Sequence, residues 1–461
     1  MGLGGVAGLI LPAATAGRSA SSADATGVRR TRLHDLTWIK APAAAGGDHG
    51  AMETPAVPRA PALSPARLAE TPHRLLFFVG ASNVLLAMLW WAAWLATTRW
   101  QWFTMPQPDP YAGWLHAFVM QYQMLPSFIF GFLLTTFPRW MGLRDLDRWR
   151  YAPVGAGLFG GQLATLLGAL GWPAGILVGL LMTLAGWTAG LATLGPLLWR
   201  EQGRTWHARS CFAALVLGFL GLLAWTAFLL TGNPLCAFAS IKAGTFGLLL
   251  PVYFSVAHRM FPFFAGNVVP GYRGWRPLWL LAVFWALCLL HLALELAHAY
   301  GWLWLADVPL LALTAVAWAR WWPLGRKPGL LTVLFVGLAW LPIAFALYSA
   351  QSVAYHLTGV YWLGRAPAHA LFIGFFGSVL IAMVTRVTQG HSGRPLAMPT
   401  AAWFAFAAIQ LVAITRIGAE LADDPMRWQA LAAFSWLLAF APWVLRIGRI
   451  TLSPRVDGKP G

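Results

Sequence analysis

His116 and His369 each stand near the start of a long apolar run, with no acidic residue within a helical turn of either. An imidazole in such a run, lacking a carboxylate partner, suits axial ligation of haem iron, because histidines from two facing helices can clamp one porphyrin inside a bundle. Met120 and Met124 follow His116 at successive four-residue steps. One imidazole and two thioethers along one helix stripe form a soft donor set of the kind copper(I) accepts, although methionines on such helices serve mostly as packing. His291, Glu295 and His298 are spaced to share a helix face, as are Arg416 and Glu420. Lys242 and Asp307 lie inside other apolar runs, and His356 adjoins one. These groups read either as the lining of a ligand pocket or as internal pairs that lock helices together. His207, His258 and His391 fall at the opposite ends of their runs, where they form a second site or sit at an interface.

The elements that must position these residues are membrane helices. Fifty-nine per cent of the 461 residues are hydrophobic and ten per cent are charged, whereas soluble globular chains run at roughly 45–50% and about 25%. A formal charge of +17 invites a nucleic-acid reading. However, the basic residues fall in short runs between apolar stretches rather than along one face, which excludes it. Cys211, Cys236 and Cys288 are far apart with no CxxC spacing, so neither a disulfide framework nor a zinc ribbon is indicated.

Apolar runs long enough to cross the ~30 Å of a bilayer core are expected near 75–96, 113–138, 152–170, 174–198, 209–231, 235–257, 277–299, 302–321, 330–350, 367–387, 401–422 and 428–447. The fold class is therefore all-α, a polytopic membrane protein of about twelve transmembrane helices in contact with lipid. Residues 1–66, rich in Ala, Gly, Pro and Ser, are expected to be a disordered tail. The apolar stretch at their start lacks a preceding positive residue and is not expected to be a cleaved signal peptide. Residues 67–450 form the helical domain and 451–461 a short second tail. Lys and Arg alternate strongly: the loops after spans two, four, six, eight and ten carry fifteen, and the opposite loops only Arg99, Arg365 and Arg427. Basic loops are retained in the cytoplasm, so both termini are expected there. The longer connections 97–112, 139–151, 260–276 and 351–366 have room for short amphipathic helices on the membrane face.

That orientation places His116, His369, Lys242, His291, Glu295, His298, Asp307, Arg416, Glu420 and His356 in the outer part of the bundle. Burying charge in hydrocarbon costs a few kcal/mol per group. A polar pocket opening outward is the expected reason for their gathering.

Four strings give the chain a family likeness. His116-Ala117-Phe118 leads to Gly131-Phe132-Leu133-Leu134-Thr135-Thr136-Phe137-Pro138-Arg139-Trp140-Met141-Gly142. Then come Arg259-Met260-Phe261-Pro262-Phe263-Phe264, His369-Ala370-Leu371, and Thr385-Arg386 followed by Gly390-His391-Ser392-Gly393-Arg394-Pro395-Leu396. Together they resemble the NnrS family of bacterial membrane proteins across all twelve spans. The resemblance implies a multi-pass inner-membrane protein containing haem and copper, connected with nitric oxide metabolism and protection from nitrosative stress. The family's pattern carries a second histidine and a glutamate shortly after the first histidine of span two, whereas Phe118 and Val119 stand here. Among the matching residues, Arg139, Arg259 and Arg386 are placed either to hold an anion such as a haem propionate or simply to fix topology. The glycines around His391 and Arg394 permit a sharp turn that holds both against the bundle end.

Twelve helices with both ends inside is also the plan of the major facilitator transporters, the alternative reading. The loop Gly142–Arg150 is only loosely like that family's motif, and no long central connection divides the chain into halves.

Overall fold

The computed structural model describes residues 63–201, 205–325 and 327–459. The expected tail 1–66, with its short apolar start, lies outside the described residues except for its last four. Among the described residues the secondary structure is helical throughout, with no strand. Twelve helices are long and apolar enough to cross a membrane: α1 (Pro72–Trp100), α2 (Ala112–Trp140), α3 (Arg148–Ala169), α4 (Ala174–Arg200), α5 (Trp206–Thr231), α6 (Pro234–Gly266), α7 (Leu278–Leu296), α8 (Tyr300–Trp321), α9 (Gly329–Thr358), α10 (Ala366–His391), α11 (Thr400–Leu421) and α12 (Pro425–Leu452). Each expected span has its helix.

Local chemistry sets the turns. Between α5 and α6, Gly232 takes φ 70° and donates its N–H to Phe228 O at 2.8 Å. Asn233 then accepts from Leu235 N at 3.0 Å, and Pro234 begins the next helix. This is the Gly-stop and Asx-Pro-start chemistry that makes antiparallel neighbours of two helices. The longer connections differ from expectation, since none contains an amphipathic helix of its own. The spans themselves run on instead. The 30 residues of α9 reach about 45 Å at 1.5 Å per residue, so the interfacial chain is already used up as helix.

The first and last described helices are tied together at one end of the bundle, here the tail end. Ser64 N donates to Leu452 O at 3.0 Å, and Arg74 Nη1 donates to Thr451 O at 2.9 Å and Ser453 O at 2.8 Å. The loops that carry most of the Lys and Arg are at this same end, as twelve alternating helices require.

A π-helical turn interrupts α2 at Val119–Met124, α6 at Ala243–Leu249 and α10 at Ala370–Gly377. The interruption recurs every fourth helix, dividing twelve helices into three groups of four rather than two of six. These three helices also meet around one cavity, together with Phe77 of α1. Phe128, Ile129 and Phe132 of α2, Val252 and Tyr253 of α6, and Val379 and Met383 of α10 surround one apolar cavity of about 60 Å³. A π turn leaves a main-chain carbonyl without its usual donor, and such turns collect at functional sites. In α2 the indole of Trp187 supplies the donor, with Nε1 2.9 Å from Tyr122 O, while the Tyr122 hydroxyl donates to Ser240 O at 2.6 Å. Trp187→Phe removes that donor and leaves the carbonyl buried and unpaired, a loss of about 1–3 kcal/mol. Thermal unfolding in detergent measures it, and an unchanged midpoint would mean the π turn does not depend on Trp187.

Candidate functional site

His116 sits one turn into α2 and His369 one turn into α10, both at the end of the bundle far from the tails. His369 Nδ1 lies 2.9 Å from Arg365 O. A carbonyl can only accept, so Nδ1 carries the proton and the Nε2 lone pair is left free. Histidines that ligate metals are commonly held by a main-chain carbonyl in this way. His116 has no hydrogen-bond partner among the described residues, and the Trp91 indole lies over its ring at 4.3 Å and 11°. His116, Arg365 and Arg416 are all within electrostatic reach of His369. Both imidazoles are half-buried and keep some accessible surface. Arg416, itself buried, donates from Nη1 to Glu420 Oε1 at 2.6 Å, and Glu420 Oε2 accepts from Arg365 N at 3.2 Å. Gly364 takes φ 51° against that carboxylate, where a Cβ would strike Glu420 Oε2. The Arg416–Glu420 pair therefore holds the turn that in turn holds His369.

Lys242, Glu295 and Asp307 line a chamber between α6 and α10, walled by α7, α8 and α9 and sharing Gly364 and Arg365 with the His369 turn, with a volume of about 360 Å³. Lys242 Nζ is 2.7 Å from Glu295 Oε1, and the His291 ring lies between Glu295 and Asp307. Phe246, from the π turn of α6, stacks on the His291 ring at 3.7 Å. Tyr361 reaches in from the α9–α10 connection. Burial, with the Glu295 and Asp307 carboxylates nearby, pushes its phenol above the ordinary tyrosine value.

The expected face of His291, Glu295 and His298 is only partly formed. Helix α7 ends at Leu296 and His298 takes φ 54°, so the chain turns away before a third side chain can join the face. His298 is exposed and pairs with the Tyr300 hydroxyl at 2.7 Å. His356 is likewise exposed, with Nδ1 2.7 Å from Gly301 O. Met124 is packed in the apolar core and Met120 is half-buried against it. Among the described residues, no group of three His, Cys, Asp or Glu side chains is placed to hold a metal ion.

Arg259, Arg386, His391 and Arg394 are at the tail end. Arg386 stands about 25 Å along α10 from His369 at roughly 1.5 Å per residue, so it cannot meet the same bound group. Instead, Arg259 lies over the Trp140 ring at 4.5 Å and Arg386 over Phe264 at 3.9 Å. His391 lies against the His73 ring at 4.4 Å, with Arg139 3.5 Å from its Nδ1. His207 and His258 do pair: His258 Nε2 faces Pro277 O at 3.1 Å and must donate, so its Nδ1 accepts from His207 Nε2 at 2.8 Å.

Sequence reasoning missed Trp91, Tyr348, Gln351 and the role of Arg365. Trp91 is one of 28 tryptophans, and Arg365 looked only like a loop cation. A family model described as NnrS protein matches residues 67–455. No curated protein matches the chain.

Proposed function

The chain belongs to the NnrS family, and on that premise we propose that it is a multi-pass bacterial inner-membrane haem protein that handles nitric oxide and protects against nitrosative stress. Its haem would be held between His369 and His116 near the outer surface. The observation that carries this reading is the state of His369: Nδ1 is tied to Arg365 O, leaving Nε2 unengaged, at the same end of the bundle as His116 of α2, which stacks on Trp91 and has no hydrogen-bond partner among the described residues. Buried Arg416 adds a guanidinium suited to a propionate.

When bound, ferrous haem supplies direct coordination of nitric oxide. The chain's own residues do the rest. Arg365 O fixes the His369 tautomer, Glu420 and Arg416 fix Arg365, and the Trp91 face covers His116 from one side. An apolar gas partitions into the membrane and reaches such a site from the lipid.

Copper fits the residues poorly. The positions where the family's pattern offers a second histidine and a glutamate are Phe118 and Val119, both buried in apolar packing, with Phe118 stacked on Trp225 at 4.7 Å. His116 and Met120 alone are too few donors for a closed copper site. The division into three groups of four helices also favours this reading over a major facilitator transporter, which is built from two halves of six.

The test is the absorbance of the protein purified in detergent after expression with haem supplied. A Soret band that moves on reduction and again on adding nitric oxide is expected, with copper near zero by metal analysis. A colourless protein would overturn the haem assignment.

A further inference from the structure

The chamber between α6 and α10 holds the densest set of buried ionisable groups in the described chain. Four of them stand in series across three helices. Lys242 Nζ of α6 contacts Glu295 Oε1 of α7 at 2.7 Å, Glu295 Oε1 lies 3.4 Å from His291 Nε2, and His291 Nδ1 lies 2.7 Å from Asp307 Oδ1 of α8. Glu295, His291 and Asp307 are all at least nine-tenths buried. Among the described residues, Asp307 Oδ2 and Gln351 Oε1, both on the chamber wall, have no hydrogen-bond partner, and neither has His291 Nε2, whose 3.4 Å approach to Glu295 is an ion-pair contact rather than a formed hydrogen bond.

Charge counting shows what is missing. With His291 neutral, one ammonium faces two carboxylates, and the set carries one uncompensated negative charge in a low-dielectric wall. Such a charge is costly unless it is balanced. One additional proton makes the series alternate in sign from Lys242 to Asp307 and brings it to neutrality. That proton has a natural position between the two carboxylates, on the imidazole that bridges them. The other titratable and charged groups facing this set are Tyr348 and Tyr355 from α9, Tyr300 from α8, Cys288 from α7, and Tyr361 and Arg365 from the α9–α10 connection. Of these, Arg365 alone adds a positive charge, and it stands at the exposed mouth.

A purely structural lock would need neither a 360 Å³ space beside it nor a mouth. The chamber runs from the buried Glu295, Asp307 and Ser352 to the exposed Tyr361, Gly364 and Arg365, so the two carboxylates face a space that opens at the surface. We propose that the Glu295–His291–Asp307 triad is a proton-exchange site that takes up and releases one proton through the chamber. The step is balanced. The Nε2–H bond of His291 breaks as an O–H bond forms on Glu295, that proton then passes to chamber water, and the reverse path restores it; no electron moves. The His291 proton facing Asp307 stays in place and keeps the ring oriented. This inference does not depend on haem.

Infrared difference spectra of the full-length protein in lipid, recorded between acid and alkaline media in H₂O and D₂O, test it. The wild type is expected to show a reversible imidazole and carboxyl signal that shifts in D₂O as soon as the medium is exchanged. His291→Gln is expected to lose that signal, and Asp307→Asn to lose its Asp component. Tyr348→Phe, a milder change in the same wall, is expected to keep it. A wild-type protein silent over the whole range, or exchanging only on unfolding, makes the series a sealed lock and overturns the proposal. So does an identical signal in both His291→Gln and Asp307→Asn. The wild-type arm decides even if a variant fails to fold.

Discussion

With haem held as proposed, His369→Ala is expected to lose the Soret band of the purified protein, whereas His116→Ala is expected to keep a band displaced from the wild-type position. The asymmetry follows from what holds each ring. His369 is anchored to the main chain through Arg365 O at 2.9 Å, and that carbonyl is fixed by the Glu420 carboxylate, which accepts from Arg365 N and from buried Arg416. A ligand oriented by such a shell carries most of the affinity, and disturbing even the shell typically costs 10–100-fold. Arg416→Leu is therefore expected to weaken haem retention by about that factor without changing the ligand. His116 stacks on Trp91 and has no hydrogen-bond partner among the described residues, so in the proposed site it would be the more weakly held ligand, and its removal is expected to change the band rather than empty the site. His207→Ala, at the tail end, leaves the spectrum unchanged. Identical spectra for wild type, His369→Ala and His116→Ala would remove the site from these two histidines while leaving the helical fold intact.

Gly157→Leu prevents α3 and α4 from packing, with a loss of at least ~3 kcal/mol and a collapse in the yield of monodisperse protein. The two helices meet along glycines, as small-residue interfaces in membranes do. A Cβ at Gly157 would lie 2.5 Å from Gly186 Cα, and one at Gly175 would lie 2.5 Å from Gly168 N. Both neighbours are backbone and cannot rotate aside. Gly195 of α4 faces α5 instead and meets only the Phe212 ring, at 3.4 Å; with Pro196 next in the chain helix propensity brings it no gain, and Gly195→Ala is expected to cost much less than Gly157→Ala. Thermal unfolding of the three variants in one detergent measures this, and a tolerated Gly157→Leu would mean the two helices do not make the close contact seen.

The number of helices and their places along the chain were legible residue by residue, because hydrocarbon accepts only long apolar runs and every polar backbone group within it must be bonded internally. The pairing of Arg416 with Glu420 and of Glu295 with His291 was legible too, since four residues is one helical turn. His298 was not: its place on the α7 face was lost to a helix stop two residues earlier, and nothing in the Leu296–Tyr300 sequence marks that stop with Gly or Pro. The π turns had no sequence signal either. They arise where neighbouring helices, through groups such as the Trp187 indole, supply the hydrogen bond that the helix itself gives up.

The sequence by itself determined the solvent this protein lives in, the twelve helices, and which ionisable residues stand near which end, because burial cost and helical period act locally along the chain. The tertiary structure alone decided how those residues group: His369 held by the Arg365 turn at the start of α10, and a charged chamber between α6 and α10 that shares Arg365 with that turn. The physical reason is rotation: a helix in lipid has no preferred azimuth of its own, so the direction each side chain takes is set by packing against helices distant in the chain.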